Sequence, residues 1–458
     1  MGQRREGGRV SLQSVECEIG AGETNKWPAR SETSRFESRS ANDLRRVVRV
    51  GFLGYGRVGQ AVAAVAEKRR GRLLAANLDL RCVDALVRDP RKVRTGPRVR
   101  LSTDAAYVVG SGVDVIVEVL GGLDPARHLV EAALDAGIPV VSANKTLVAA
   151  AGAELRALAS RRRTAFAFDA AVLAGVPFLG SLSRRPLVAE ADEIAGVLNG
   201  TSNFILSEMA QGASFESALT AAIDRGYAEP DSSADISGLD AAQKLSVLLQ
   251  LGGCPAVPTG DVPSAALTIL DPRDLTAARR LGGAIKPIAF ASVHGGGRAW
   301  VGPAFVPEDD PLSRINGVEN GLRLTGVNGH AVMFAGPGAG PEVTAVTILD
   351  DIVEIFTGGL SASFAHTDRP DRAAMRFDEP PDGGWFVRTG GGIDLQPAHV
   401  AEFFAARGVP FLHLVSEHGD LVGLTTPAAW PAVQEATQAL RAIGAHTIAI
   451  PVLGGQGE

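Results

Sequence analysis

Between Gly226 and Lys244 the chain reads GYAEPDSSADISGLDAAQK. Glu229, Asp231, Asp235 and Asp240 crowd into that span, and Lys244 closes it. The plain reading is a solvated acidic loop followed by an i,i+4 ion pair worth about 0.2–0.5 kcal/mol. The chemical reading is a polar site for a charged small molecule. Asp240 and Lys244 then share one face of a helix starting near Leu239. A second lysine, Lys145, closes the apolar run IPVVSANK. Lysine titrates near about 10.4, so either side chain offers an ammonium that stabilises a growing oxyanion and can hand it a proton.

These side chains need a frame, and the first half of the chain supplies its pattern. VVRVGFL runs into Gly54-Tyr55-Gly56-Arg57-Val58-Gly59 and then into an alanine-rich amphipathic segment. Gly54 permits the tight turn, Gly56 lets backbone approach a pyrophosphate, and Gly59 lets helix and strand pack closely. The N–H groups at the helix start, around Arg57 and Val58, face the phosphates. LRCVDALV is the second strand, and Arg88 follows it with Arg91 and Lys92 behind. An arginine there suits the 2′-phosphate of NADP; Asp89, next in line, keeps NAD open. VDVIVEVLGG, DPARHLVEAALDAG and IPVVSANK continue a strand–helix–strand alternation, which predicts a parallel sheet. Ligands sit beyond the carboxyl ends of such strands, where Gly121, Gly122, Asn144 and Lys145 fall.

Composition narrows the class. The chain has 458 residues, 45% of them hydrophobic, and a net charge of −6. That balance argues against nucleic acid as a partner, since phosphate binding needs a basic face. Cys17, Cys82 and Cys254 form no close pair, so neither a disulfide framework nor a cysteine zinc site is expected. The eight histidines lack metal-ligand spacing. Apolar runs are short and interrupted, so no membrane span is predicted. The pattern fits a cytoplasmic enzyme acting on a small molecule. Residues 1–45 are polar, without sustained periodicity, and read as a weakly ordered extension.

VEVLGGLDPARHLVEAALDAGIPVVSANKTLVA, GVLNGTSNFIL, GYAEPDSSADISGLDAAQKL and GPGAG together resemble the homoserine dehydrogenase family, over about Val47 to Ile355. The resemblance implies NADPH- or NADH-dependent reduction of L-aspartate 4-semialdehyde to L-homoserine, on the route to threonine and methionine. It implies that Lys244 is the proton donor and that Lys145 lies by substrate and nicotinamide and shares that role. By the same resemblance Asp235 and Asp240 bind or orient the substrate, Glu229 holds its amino group, and Gly340 approaches the cofactor. Asp169, Val172, Ala174 and Val176 match a loop that binds a monovalent cation such as Na+, although the family usually has Glu where Asp169 stands. The substrate's carboxylate needs donors, which backbone and hydroxyl groups of the turn Asn199-Gly200-Thr201-Ser202 could supply. That turn also reads as a helix start capped by Thr201 or Ser202.

The expected organisation is α/β throughout. A Rossmann-type dinucleotide-binding domain spans 46–180 and is completed by about 331–360. An α/β substrate and dimerisation domain spans 181–330, which implies a homodimer or homotetramer. A linker over 361–383 leads to a ferredoxin-like βαββαβ domain over 384–458, placed like the ACT regulatory domain of many bacterial homoserine dehydrogenases. Its first loop, GGGIDLQPAH, lacks the usual effector signature. Two rival readings stand beside this one: another amino-acid-type dehydrogenase on the same scaffold, and a non-catalytic amino-acid sensor.

Overall fold

The computed structural model describes residues 45–176, 178, 191–251, 259–292, 297–326, 330–358, 383–391 and 395–454. The extension expected over 1–45 and the linker expected over 361–383 therefore fall outside the described residues, apart from Arg45 and Gly383.

In chain order the first unit comprises β1 (Arg46–Leu53), α1 (Arg57–Lys68), α2 (Arg70–Ala75), β2 (Leu78–Leu86), β3 (Arg100–Ser102) and α3 (Ala105–Gly110). It continues with β4 (Val115–Glu118), α4 (Ala126–Asp135), β5 (Val140–Ser142), α5 (Lys145–Arg161), β6 (Phe166–Ala167) and α6 (Asp169–Val172). The strands pair in parallel in the order β3-β2-β1-β4-β5-β6. The order reverses between β1 and β4, and a doubly wound sheet opens a ligand crevice at that switch. Val48, Val50, Phe52, Val115 and Val117 are buried because helices cover both faces.

The second unit comprises β7 (Ala191–Val197), α7 (Gly200–Met209), α8 (Phe215–Asp224), α9 (Ser233–Ile236), α10 (Leu239–Leu251) and α11 (Pro272–Arg280). It ends with β8 (Gly283–Ser292), β9 (Arg298–Pro307), β10 (Glu319–Gly326) and β11 (Ala331–Pro337). Its sheet is antiparallel, in the order β11-β10-β7-β8-β9. One expectation needs correcting here. The return to the first domain, expected from about 331, starts later: β11 pairs with β10 and forms an edge of the second sheet. Only α12 (Pro341–Thr357) returns, and its Ile348 and Ile352 join Val62 and Ala66 of α1 in one buried cluster.

The third unit is β12 (Trp385–Gly390), α13 (Pro397–Ala405), β13 (Phe411–Glu417), β14 (Asp420–Thr425), α14 (Trp430–Ala442) and β15 (His446–Pro451). Its antiparallel order β13-β14-β12-β15 is the ferredoxin-like topology. The unit docks on the second sheet through Phe386, which stacks on Phe305 at 6.0 Å between centroids. Arg388, fully buried, forms an ion pair with Asp274 of α11 and another with Asp420 at 3.3 Å. The loop GGGIDLQPAH is only partly described, since 392–394 lie outside. Among the described residues no helix is long and apolar enough to cross a membrane.

Candidate active site

The β1 exit has the shape that a dinucleotide requires. Gly54 sits at φ +98°, and a Cβ there would lie 2.8 Å from the Val119 carbonyl oxygen. A Cβ on Gly59 would lie 2.8 Å from the Gly54 carbonyl oxygen, so helix and strand touch. A Cβ on Gly56 would meet nothing within 4 Å, so backbone there is open to a phosphate. No side chain caps the start of α1, which leaves its first N–H groups for an anion. The cradle therefore fits a dinucleotide.

Arg88 and Lys92 lie beyond the end of β2 and are exposed, as is Arg91. Asp89 accepts from the Arg91 backbone N–H at 2.8 Å and from its Nε at 3.4 Å. Arg94, which sequence reading missed, staples this loop to the glycine turn: its Nε donates to the Tyr55 carbonyl at 3.1 Å and Nη1 to the Lys92 carbonyl at 2.8 Å.

The amines meet at one carboxylate. Asn144 caps α5 by accepting from the Leu147 N–H, which puts Lys145 in the first turn. Lys145 Nζ pairs with Asp240 Oδ1, and Lys244 Nζ lies 3.0 Å from Asp240 Oδ2. Lys244 also donates to the Leu198 carbonyl at 2.6 Å. The side chains of Asp240 and Lys244 are 8% and 12% exposed, against 40% for Lys145, so only Lys145 keeps ready access to water. Burial by itself would raise the Asp240 carboxyl. The Lys244 and Lys145 ammoniums and hydrogen bonds from Lys145 and Asn199 outweigh that and hold it well below the usual carboxylate range. Asp240 thus stays charged, and each ammonium keeps donors for another oxygen.

Asn199 carries a correction. It is the cap of α7, in place of Thr201 or Ser202, because its Oδ1 accepts from the Ser202 N–H at 2.8 Å. Its side-chain amide donates to Asp235 at 2.7 Å and to Asp240 at 2.9 Å, so both amide hydrogens tie two acids together. The Thr201 hydroxyl donates to the Tyr227 carbonyl and the Ser202 hydroxyl to the Asp235 carbonyl. Those bonds anchor the segment that carries Glu229 and Asp235. Burial raises the Asp235 carboxyl; the Asn199 hydrogen bond opposes this and the Asp240 charge adds to it, leaving the group above its ordinary value.

A cleft of about 870 Å³ opens between the first and second units. Lys145, Lys244, Asp240, Asp235 and Glu229 line it together with Val58, Gly121 and Gly340. Arg88 and Lys92 are not part of its wall, and neither are Gly54, Gly56, Arg57 and Gly59. Gly121 and Gly122 take φ of +77° and +75°, a left-handed pair that favours glycine. A Cβ at Gly338 would lie 2.4 Å from Asn320 Oδ1, so the glycine turn before α12 leaves no room for a side chain there.

Val172 and Ala174 of the cation loop reach the cleft wall, while Asp169 and Val176 are buried outside it. The Ala174 carbonyl accepts from the Thr347 hydroxyl, and the Asp169 N–H donates to Asp351 at 3.3 Å. Asp351, which sequence reading did not single out, is a second buried carboxyl at this place. Burial, and then the Asp169 charge, push it well above the ordinary value. No cluster of three or more His, Cys, Asp or Glu able to hold a metal occurs among the described residues.

Known proteins share this arrangement of chain. Residues 177–353 match the family model described as homoserine dehydrogenase, and residues 54–169 match its NAD binding domain. The homoserine dehydrogenase of Synechocystis sp. is 37% identical over 67% of this chain and 73% of its own length. That of Lactococcus lactis is 30% identical over 81% and 90%. The crystal structure of a homoserine dehydrogenase from Thiobacillus denitrificans is similar with a TM-score of 0.77 and 31% identity, covering 89% of this chain and 98% of that one. A hyperthermophilic archaeal homoserine dehydrogenase in complex with NADPH is similar with a TM-score of 0.56 and 25% identity, covering 68% and 98%.

Proposed function

The chain belongs to the homoserine dehydrogenase family, and from that premise we propose how its cleft interconverts L-aspartate 4-semialdehyde and L-homoserine. It is an oxidoreductase that works with a nicotinamide cofactor, which when bound gives or takes a hydride at the carbon bearing the reacting oxygen. The Lys244 and Lys145 ammoniums flank that oxygen. As negative charge grows there, both stabilise it, and Lys244 transfers the proton. In the opposite direction the same amine takes the hydroxyl proton. Asp240 keeps the two amines together and cancels one of their charges. The more exposed Lys145 links the pair to water. Glu229 and Asp235 hold the substrate's ammonium.

The observation that carries this reading is the bridge of one carboxylate to two lysines on the cleft wall. Steady-state assays with L-homoserine and each cofactor test it. Turnover with at least one is expected, and none with either would overturn the reading.

The cofactor reading prefers NADP. Arg88 and Lys92 are exposed past β2, and Asp89, the acid that would favour NAD, is already bound to Arg91. The cation reading is supported by Asp169 and Asp351, two buried carboxyls whose repulsion a monovalent ion such as Na+ would offset. The carbonyls of Val172, Ala174 and Val176 would complete the oxygen set, and the ion would be structural. The βαββαβ topology of the third unit supports an ACT-like role, and the family resemblance supports a cytoplasmic homodimer or homotetramer.

A further inference from the structure

Glu118 ends β4 with its side chain fully buried. Burial raises its carboxyl, yet donors converge on both oxygens. Oε2 accepts from the Ser142 hydroxyl at 2.6 Å. Oε1 accepts from the Leu120 N–H at 2.8 Å and from Asn144 Nδ2 at 3.2 Å. The same Asn144 amide donates to the Gly122 carbonyl at 2.6 Å, and the Asn144 N–H donates to the Ser142 hydroxyl at 3.1 Å. One carboxyl therefore clamps two segments together: the left-handed Gly121–Gly122 turn and the Ser142–Asn144 turn that launches α5. The residue after that turn is Lys145, whose ammonium holds Asp240.

We propose that Glu118 is a positioning residue for Lys145, acting through Asn144 and the first turn of α5. The proposal rests on the reading of Lys145 as a partner of the reacting oxygen. Its demand is geometric: the side chain must reach Leu120, Asn144 and Ser142 at once. Glutamine has that reach, accepting from Leu120 and Asn144 while its amide donates to the Ser142 hydroxyl. Aspartate keeps the charge but is one methylene short. A misplacement of about 1 Å at a catalytic group can cost up to about a hundredfold in rate.

The test compares Glu118→Gln, Glu118→Asp and Glu118→Ala for kcat, KM for L-homoserine and thermal unfolding, alone and combined with Lys145→Met. Expected are a kcat within about threefold of wild type for Glu118→Gln and a loss of about thirtyfold or more for Glu118→Asp, with KM little changed. In the Lys145→Met background the Glu118→Asp loss shrinks to less than about threefold, because both act through one group. Should Glu118→Ala not fold, the Gln/Asp contrast decides alone. A folded Glu118→Asp with normal kcat overturns the proposal, as does a loss that adds in full to that of Lys145→Met. If Lys145→Met by itself leaves kcat intact, the reading of Lys145 fails instead, and the positioning role fails with it.

Discussion

Lys145 and Lys244 hold the two oxygens of a single carboxylate from two different helices. The i,i+4 contact of Asp240 with Lys244 follows from helix geometry, whereas the partnership with Lys145 spans 95 residues of sequence. The carboxylate therefore joins the cofactor sheet to the substrate unit at the point where both line the cleft.

Removing the charge of Asp240 should damage both activity and folding. Asp240→Asn leaves two ammoniums facing each other, so kcat should fall by at least about tenfold and the unfolding midpoint should drop at neutral pH. The pH dependence has a definite sign. The folded carboxyl titrates below its unfolded value of about 3.9, so its stabilisation is present above that pH and disappears as pH falls through the folded value. Unfolding curves taken from neutral pH down to well below the unfolded value of about 3.9 should show the gap between wild type and variant begin to narrow under that value. A gap of constant size would contradict the assignment.

Asp235 should set the acid limb of substrate capture. Its carboxyl lies above the ordinary value, so it takes up a proton before Asp240 does as pH falls. The neutral form no longer draws the substrate's ammonium, and kcat/KM for L-homoserine should decline with falling pH while kcat declines less. Asp235→Asn should have a low kcat/KM that no longer follows this limb. A pH–rate profile of the variant with the limb unchanged would assign it elsewhere.

Arg88→Ala should weaken NADPH selectively. Loss of one contact to a 2′-phosphate should reduce kcat/KM for NADPH by about tenfold and leave NADH nearly untouched, since hydrogen bonds to charged groups contribute about 1.5–3 kcal/mol. An unchanged ratio of the two cofactors would remove Arg88 from the site.

The third unit should depend on a buried arginine. Arg388 and Asp274 are 1% and 0% exposed, and truncating one member of a buried pair leaves a charge without its partner. Arg388→Ala should cost about 3–5 kcal/mol in denaturant unfolding. A cost below about 1 kcal/mol would mean that the pair is not buried in solution.

The legible parts of this protein were those with local physics. The Gly54–Gly59 turn, the strand–helix alternation and the Asp240–Lys244 spacing each lie within one or two elements, so period and residue type expose them. What escaped depends on register or on distant partners. Glu118 hides inside the apolar run VIVEVL, where a glutamate ending a strand looks like solvated punctuation. Asn199 reads only as part of a helix start, and the commitment of its amide to Asp235 and Asp240 exists only once α7, α9 and α10 are packed together. Asp351 sits in an amphipathic helix beside Asp350, and nothing local distinguishes the acid that meets Asp169. The start of the return to the first unit was placed near residue 331, about ten residues before α12 begins at Pro341, because only the pairing of β11 with β10 shows where the second sheet ends.

The central claim is that Lys145 and Lys244 serve one reacting oxygen. Its most direct test is L-homoserine oxidation by Lys145→Met, Lys244→Met and the double variant, with cofactor binding followed in parallel. The account predicts a fall in kcat of about 10²- to 10⁴-fold for Lys244→Met, a smaller fall for Lys145→Met, and a double variant far less impaired than the product of the two, all with cofactor still bound. Near-normal turnover by Lys244→Met, or losses that multiply in full, would contradict it.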